Sequence, residues 1–198
     1  VLIQAVVLAL GYLIPYFGQV VKSLSSFAAG CLLLPGCAIG AILTPLGGRV
    51  MDRLGAMRPI LIGAAVGVAT LVLFASCGVR ATGVQLALIY TLFPVCQGLS
   101  ISNSMTNGLR SLPENLQADG NAAFNTIQQL GGAIGTAIAT SIVNSAQAVN
   151  PGNFVAGTAA GTQTSFNVLL GIGIIAFVSA VSVFFRPGRR RLEAESID

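Results

Sequence analysis

The chain has 198 residues, of which 54% are apolar and only 8% charged, with a formal net charge of +4, no histidine and a mean hydropathy of +0.84. Soluble domains carry about a quarter charged residues, so a chain this poor in charge cannot coat a globular surface and takes lipid as its solvent. The same composition excludes an enzyme: without histidine or an acid inside the apolar runs, no nucleophile–base pair can be assembled, and no spacing suits a metal.

Several apolar runs approach the roughly 20 residues needed to cross a bilayer core. Six spans are read in chain order, at residues 1–21, 27–46, 59–78, 84–109, 121–144 and 165–185. Each is expected to be a helix, because hydrocarbon tolerates no unpaired backbone. The expected fold is therefore an all-α, polytopic membrane bundle of six helices over residues 1–185, followed by a basic tail at 186–198. Val1 already lies inside an apolar run with no basic segment before it, which reads as a piece of a longer protein rather than a signal peptide.

The first span carries Gln4, Tyr12, Tyr16 and Gln19. After the second comes "GGRVMDRLGAMRP" at 47–59, which holds four of the sixteen charged residues in one glycine-bounded turn. The third span is almost purely aliphatic and is expected to face lipid. The fourth is different, because Gln97, Ser100, Ser104 and Asn107 recur at three- and four-residue steps, and Tyr90 lies one heptad before Gln97. Polar faces inside a membrane line a cavity or a helix contact. For the first and fourth spans the cavity is the preferred reading, with interhelical hydrogen bonds as the alternative. In the fifth span Asn121, Asn125 and Gln128 form a stripe that continues into Gly131, Gly132 and Gly135, and tight helix packing is preferred there. Residues 145–164, rich in Gly, Ala, Thr and Asn, are expected to form a flexible external loop. The sixth span again reads as lipid-facing.

Pro15, Pro35, Pro45 and Pro94 fall inside spans, where proline kinks a helix. Cys31, Cys37, Cys77 and Cys96 lie in apolar runs and read as packing residues. Arg49, Arg53, Arg58, Arg110, Arg186, Arg189, Arg190 and Arg191 occupy one side of the expected topology, and only Lys22 and Arg80 the other. The positive-inside rule then puts the 47–59 turn and the C-terminus in the cytoplasm. Topology accounts for the basic charge, so nucleic acid is not an expected partner.

Three stretches carry a family resemblance. Gly48-x-x-x-Asp52-Arg53-x-Gly55-x-x-Arg58 resembles the cytoplasmic loop signature of the major facilitator superfamily. "ADGNAAFNTIQQLGGAIGTAI" at 118–138 is similar to the penultimate helix of EmrB/QacA-type multidrug:proton antiporters. "YLIPYFGQ" and "AAGCLLLPG" at 12–19 and 28–36 resemble the start of that family's C-terminal half. The chain departs from the family pattern at Met57, Gln128 and Phe17.

The resemblance implies the last six helices of a fourteen-span exporter in a bacterial plasma membrane, with its N-terminal half missing. It further implies a small-molecule, drug-like substrate, exchange for protons, alternating access and no cofactor. Gln4, Tyr12, Tyr16, Gln19, Tyr90, Gln97, Ser100 and Ser104 are the candidates for a substrate cavity. Gly48, Asp52, Arg53, Gly55, Arg58 and Arg110 would form a cytoplasmic latch between the two halves. No acid lies within a span, so a coupling carboxylate would have to come from the missing half. The alternative is a stand-alone six-helix scaffold or an uncoupled channel.

Overall fold

The computed structural model describes residues 1–55 and 57–185, with the side chains of residues 45, 47–54 and 184–185 outside the described set. Among the described residues every regular element is a helix. Helix α1 (Leu2–Val20) forms the first span, with Pro15 inside it. The second comprises α2 (Ser26–Cys31), capped by Ser25, whose Oγ accepts from the Ala28 amide at 3.2 Å, and α3 (Leu34–Leu54), with Pro35 in its first turn. Helix α4 (Met57–Cys77) is the third. The fourth is segmented into α5 (Gly83–Thr91), α6 (Phe93–Cys96), a π turn (Gln97–Ile101) and α7 (Ser102–Arg110). Helices α8 (Gln117–Val149) and α9 (Phe154–Phe185) complete the bundle.

Among the described residues, five segments are long and apolar enough to cross a membrane: Leu2–Val20, Ser26–Thr44, Met57–Cys77, Gly83–Arg110 and Phe154–Val183. They coincide with five of the six expected spans. Helix α8 has the length but carries too many amides and hydroxyls to qualify by apolarity. It lies instead along α1 and α9, which shield one side of it.

Two boundaries differ from the sequence reading. Helix α3 runs on to Leu54, so most of the loop signature is helical and the reversal starts at Gly55, whose φ of +75° a side-chain-bearing residue rarely adopts. Residues 145–164 are not a loop, since α8 continues to Val149 and α9 begins at Phe154. Composition misled here because glycine in this segment serves contact rather than flexibility. A Cβ on Gly157 would lie 2.8 Å from Cα of Gln147, and one on Gly161 would lie 2.7 Å from Cα of Val143, so the α8 and α9 backbones touch. Asn153 starts α9 by accepting from the Ala156 amide at 3.0 Å. At 1.5 Å per residue, α8 and α9 are each about 50 Å long, well beyond a bilayer core of about 30 Å.

The core forms around α1, whose Val6, Leu10, Leu13, Ile14 and Phe17 are completely or almost completely buried. They pack with Leu71 and Phe74 of α4, Leu86 and Phe93 of the fourth span, Val143 of α8, and Phe166 and Leu169 of α9. Phe74 and Phe166 stack with ring centroids 5.1 Å apart. Outward-facing Ile62, Val72 and Leu73 on α4, and Ile174, Ile175 and Val178 on α9, present the aliphatic surfaces expected of lipid-facing helices. Lys22 donates to the Val79 carbonyl at 3.3 Å, which places the first and third connections at the same end of the bundle.

Candidate functional site

The fourth span is gripped from both sides. On α3, a Cβ on Gly36 would come within 2.6 Å of the Tyr90 ring, and one on Gly40 within 3.0 Å of Pro94. On α4, a Cβ on Gly63 would meet Ser100 Oγ at 2.7 Å, and one on Gly67 would meet Cys96 Sγ at 2.6 Å. Between these two glycine pairs the helix breaks at Leu92, carries Pro94 in the first turn of α6, and then widens into the π turn, where the Ser102 amide bonds the Gln97 carbonyl.

That widening redistributes the polar stripe read from the sequence. Ser100 is 1% exposed and donates to the Ile60 carbonyl at 2.8 Å, and Tyr90 is buried against Gly36. Neither faces an opening in this bundle. Gln97 and Ser104 remain exposed. Asn103, which sequence reasoning passed over, is buried and donates to the Leu99 carbonyl at 2.9 Å inside the π turn.

On α1, Tyr12 and Tyr16 stack at 5.4 Å on a half-open face that continues to exposed Gln19. Tyr16 also serves as a joint. Gln147 Nε2 of α8 donates both to its hydroxyl oxygen at 2.9 Å and to Thr158 Oγ1 of α9 at 2.7 Å, linking three helices. Gln19 accepts from Ser26 Oγ at 3.1 Å. Replacing Gln147 with Leu should cost about 1 kcal/mol, the worth of two interhelical hydrogen bonds at roughly 0.6 kcal/mol each. Denaturant titration in detergent tests this, and a Tyr16→Phe change added to Gln147→Leu should then have little further effect.

Gln4 and Ser104 come together with Gln128 and Ser179 around a cleft of about 490 Å³ between α1, the π turn with α7, α8 and α9. Met105 and Phe124 also line it. The α8 stripe therefore divides. Gly131, Gly132 and Gly135 are buried against Val1, Leu8 and Ala5 of α1, as tight packing requires. Gln128 instead lines the cleft, its amide 3.8 Å from Met105 Sδ. Asn125 is exposed and donates to the Asn121 carbonyl and side chain of its own helix, at 2.9 and 3.0 Å.

Of the loop signature, Gly55 ends α3, Arg58 is exposed in the first turn of α4, and Arg110 is exposed at the end of α7. The side chains at Gly48, Asp52 and Arg53 lie outside the described residues. Glu114 and Asp119 are exposed around the start of α8.

The model of the Major Facilitator Superfamily matches residues 1–136. The chain is 31% identical over 185 residues to the lincomycin resistance protein LmrB of Listeria monocytogenes serovar 1/2a, covering 89% of this chain and 39% of that protein. It is 30% identical over 189 residues to the lincomycin resistance protein LmrB of Bacillus subtilis strain 168, covering 91% of this chain and 39% of that one. An uncharacterized MFS-type transporter of the same Bacillus strain, YhcA, is 31% identical over 131 residues, or 66% of this chain and 25% of its own length. The chain thus spans about two-fifths of the length of the LmrB proteins it matches. No solved structure matches.

Proposed function

Because this chain belongs to the major facilitator superfamily, we propose that it is the C-terminal half of an exporter of drug-like or amphipathic small molecules, working by alternating access in a bacterial plasma membrane with its C-terminus in the cytoplasm. The observation that carries this reading is the similarity to lincomycin resistance proteins along about nine-tenths of the chain. Two features of the bundle support it. Helix α8 turns Ala133, Ala137, Ser141 and Ser145 outward at four-residue spacing, a small-residue row suited to close docking of another helix from the missing half. Tyr12, Gln19 and Gln97 provide aromatic and amide groups without fixed charge on partly open or exposed positions, chemistry that suits varied amphipathic substrates.

Proton exchange is part of the proposal. Asp119 and Glu114, the acids whose side chains are described, lie at the start of α8 and just before it, and Asp52 lies near the end of α3, so the carboxylate that alternately binds and releases a proton would belong to the missing half. The test uses the protein as its gene encodes it, reconstituted in liposomes. Saturable lincomycin flux driven by a pH gradient is the expected result. Non-saturating flux indifferent to the gradient would instead favour an uncoupled channel. Gln97→Ala should change the apparent affinity for at least some of a substrate panel severalfold without altering membrane insertion. Unchanged transport across the panel removes Gln97 from the substrate path.

A further inference from the structure

We infer that the groove between the end of α4 and α5 is a binding site for an anionic phospholipid, with its phosphate at Arg80 and an acyl chain laid over Leu88 and Ile89. The residues that line it, from Cys77 to Ile89, belong to the third and fourth spans and the connection between them. Naming the leaflet as the outer one rests on the orientation proposed above. The site itself does not.

The distribution of charge carries the inference. Lys22 donates to the carbonyl of Val79, one residue before Arg80, so the two cations of this end of the bundle share one corner. No acid is near enough in sequence to answer them, because the six acids of the chain are Asp52, Glu114, Asp119, Glu193, Glu195 and Asp198, none of them in the connections at 21–26, 78–83 or 150–153. Lys22 is turned inward, with its ammonium 5.4 Å from the centroid of the Phe17 ring. Arg80 is exposed on the groove, and its guanidinium makes no hydrogen bond or ion pair among the described residues. Gln85 stands beside it. Its Oε1 is spent accepting from the Thr82 amide at 2.9 Å in the cap of α5, which leaves the two amide hydrogens as donors on the groove wall. Guanidinium and amide together form a set of donors, and a phosphodiester, charged and rich in acceptors, complements it. A zwitterionic headgroup would bring an ammonium into the same positive corner.

The rest of the groove selects a lipid over a soluble anion. Leu88 and Ile89 follow Gln85 at three and four residues and share its face of α5, while Cys77 lines the groove from the end of α4. Val84, Leu88 and Leu92 recur at four-residue steps with exposures of 71%, 60% and 40%, an aliphatic stripe that only hydrocarbon covers comfortably. The donors therefore stand at the head of an apolar track that runs into the membrane from the 78–83 connection. The groove holds about 330 Å³, within the roughly 300–1,000 Å³ range of small-molecule sites. A free phosphate would use the Arg80 end alone, whereas a phospholipid uses both.

The test places the protein, as its gene encodes it, in phosphatidylcholine nanodiscs with a trace of phosphatidylglycerol or phosphatidylcholine carrying a diazirine midway along one chain. Cross-links are mapped by mass spectrometry. Phosphatidylglycerol should label Cys77 and residues 88–92 about fivefold more efficiently than phosphatidylcholine, the equivalent of the roughly 1 kcal/mol that one cation near a membrane surface contributes toward an anionic lipid. Arg80→Gln should bring that ratio to about one while leaving phosphatidylcholine labelling unchanged, a readout that requires the folded bundle. Unlabelled phosphatidylglycerol should compete, and chain-free glycerophosphoglycerol should not. Equal labelling by the two lipids in the wild type, a preference that survives Arg80→Gln, or competition by the chain-free headgroup would overturn the inference. The labelling needs no substrate, gradient or turnover, so its failure leaves the transporter reading untouched.

Discussion

Gly135→Ala should disrupt the bundle, whereas Gly132→Ala, three residues away on the same helix, should leave it folded. Both glycines are buried where α8 crosses α1, and a sequence reading ranks them equally. What lies opposite them differs. A Cβ on Gly135 would sit 2.6 Å from the carbonyl carbon of Ala5 and 2.7 Å from its Cα, which are backbone atoms of the most buried helix. Main chain cannot rotate away, so the helices must separate by ~1 Å to restore ordinary carbon contacts of 3.5–4.0 Å. Separation loosens the packing of Val6, Ala9 and Ala139 nearby, and we expect a cost at or above the upper end of the roughly 1–3 kcal/mol typical of overpacking. At Gly132 the added methyl would meet side-chain atoms of Leu8 alone, Cδ1 and Cγ (2.8 Å) most closely, and that side chain is 36% exposed and can change rotamer. A rotamer adjustment of that kind costs about 1 kcal/mol. Monodisperse yield in size-exclusion chromatography and the SDS concentration at half-unfolding should separate the two variants clearly. Equal loss in both would mean that the α1–α8 contact is softer than these distances imply.

Deleting Leu99 should slow the transport proposed above about threefold and leave the protein folded and inserted. A π turn holds one residue more than the α-helix it interrupts, so removing one lets the span continue as regular α-helix with α6 and α7 keeping their faces. Several things are lost with it. Ser100 no longer reaches the Ile60 carbonyl, and Gly63 no longer receives the widened turn. The fourth span would then lack the widened turn that lies between Gly36 and Gly40 on one side and Gly63 and Gly67 on the other. An interhelical hydrogen bond in a membrane is worth roughly 0.6 kcal/mol, so the loss of the one from Ser100 predicts a fall of about threefold in transport rate at roughly 1.4 kcal/mol per decade. Initial-rate uptake into proteoliposomes, normalised to inserted protein, measures this. Wild-type rates in the deletion variant would show that the widened turn serves packing alone.

The local rules of membrane helices made much of this molecule legible before any coordinates. Runs such as residues 59–78 announce themselves because hydrocarbon selects for apolarity over a fixed length, and α4 indeed covers Met57–Cys77. The Gly131, Gly132 and Gly135 stripe marked a true helix contact because only small residues admit such approach. Tyr12 and Tyr16, one helical turn apart, do share a face.

Elsewhere the same rules failed for identifiable reasons. The 145–164 segment has a loop's composition, but its glycines let α9 close against α8, and tertiary contact stabilises helix that isolated propensity would not. The stripe from Tyr90 to Asn107 assumed an unbroken period of 3.6. One extra residue in the π turn turned Ser100 into α4 and left Gln97 and Ser104 outside. The cleft was only half visible, since Gln4, Ser104 and Gln128 were each noticed, yet nothing in one-dimensional spacing says that side chains 24 to 124 positions apart converge, and Ser179 and Phe124 carried no signal at all.

The amino-acid sequence by itself therefore determined that this protein lives in a membrane as an all-α bundle, where its helices cross and which family it belongs to, because bilayer thickness and helix period act residue by residue. Only the tertiary structure decided which polar groups are consumed by helix contacts and which remain available. Whether an amide or hydroxyl finds a partner depends on distances between helices, and those are set by packing of the whole bundle rather than by any one segment.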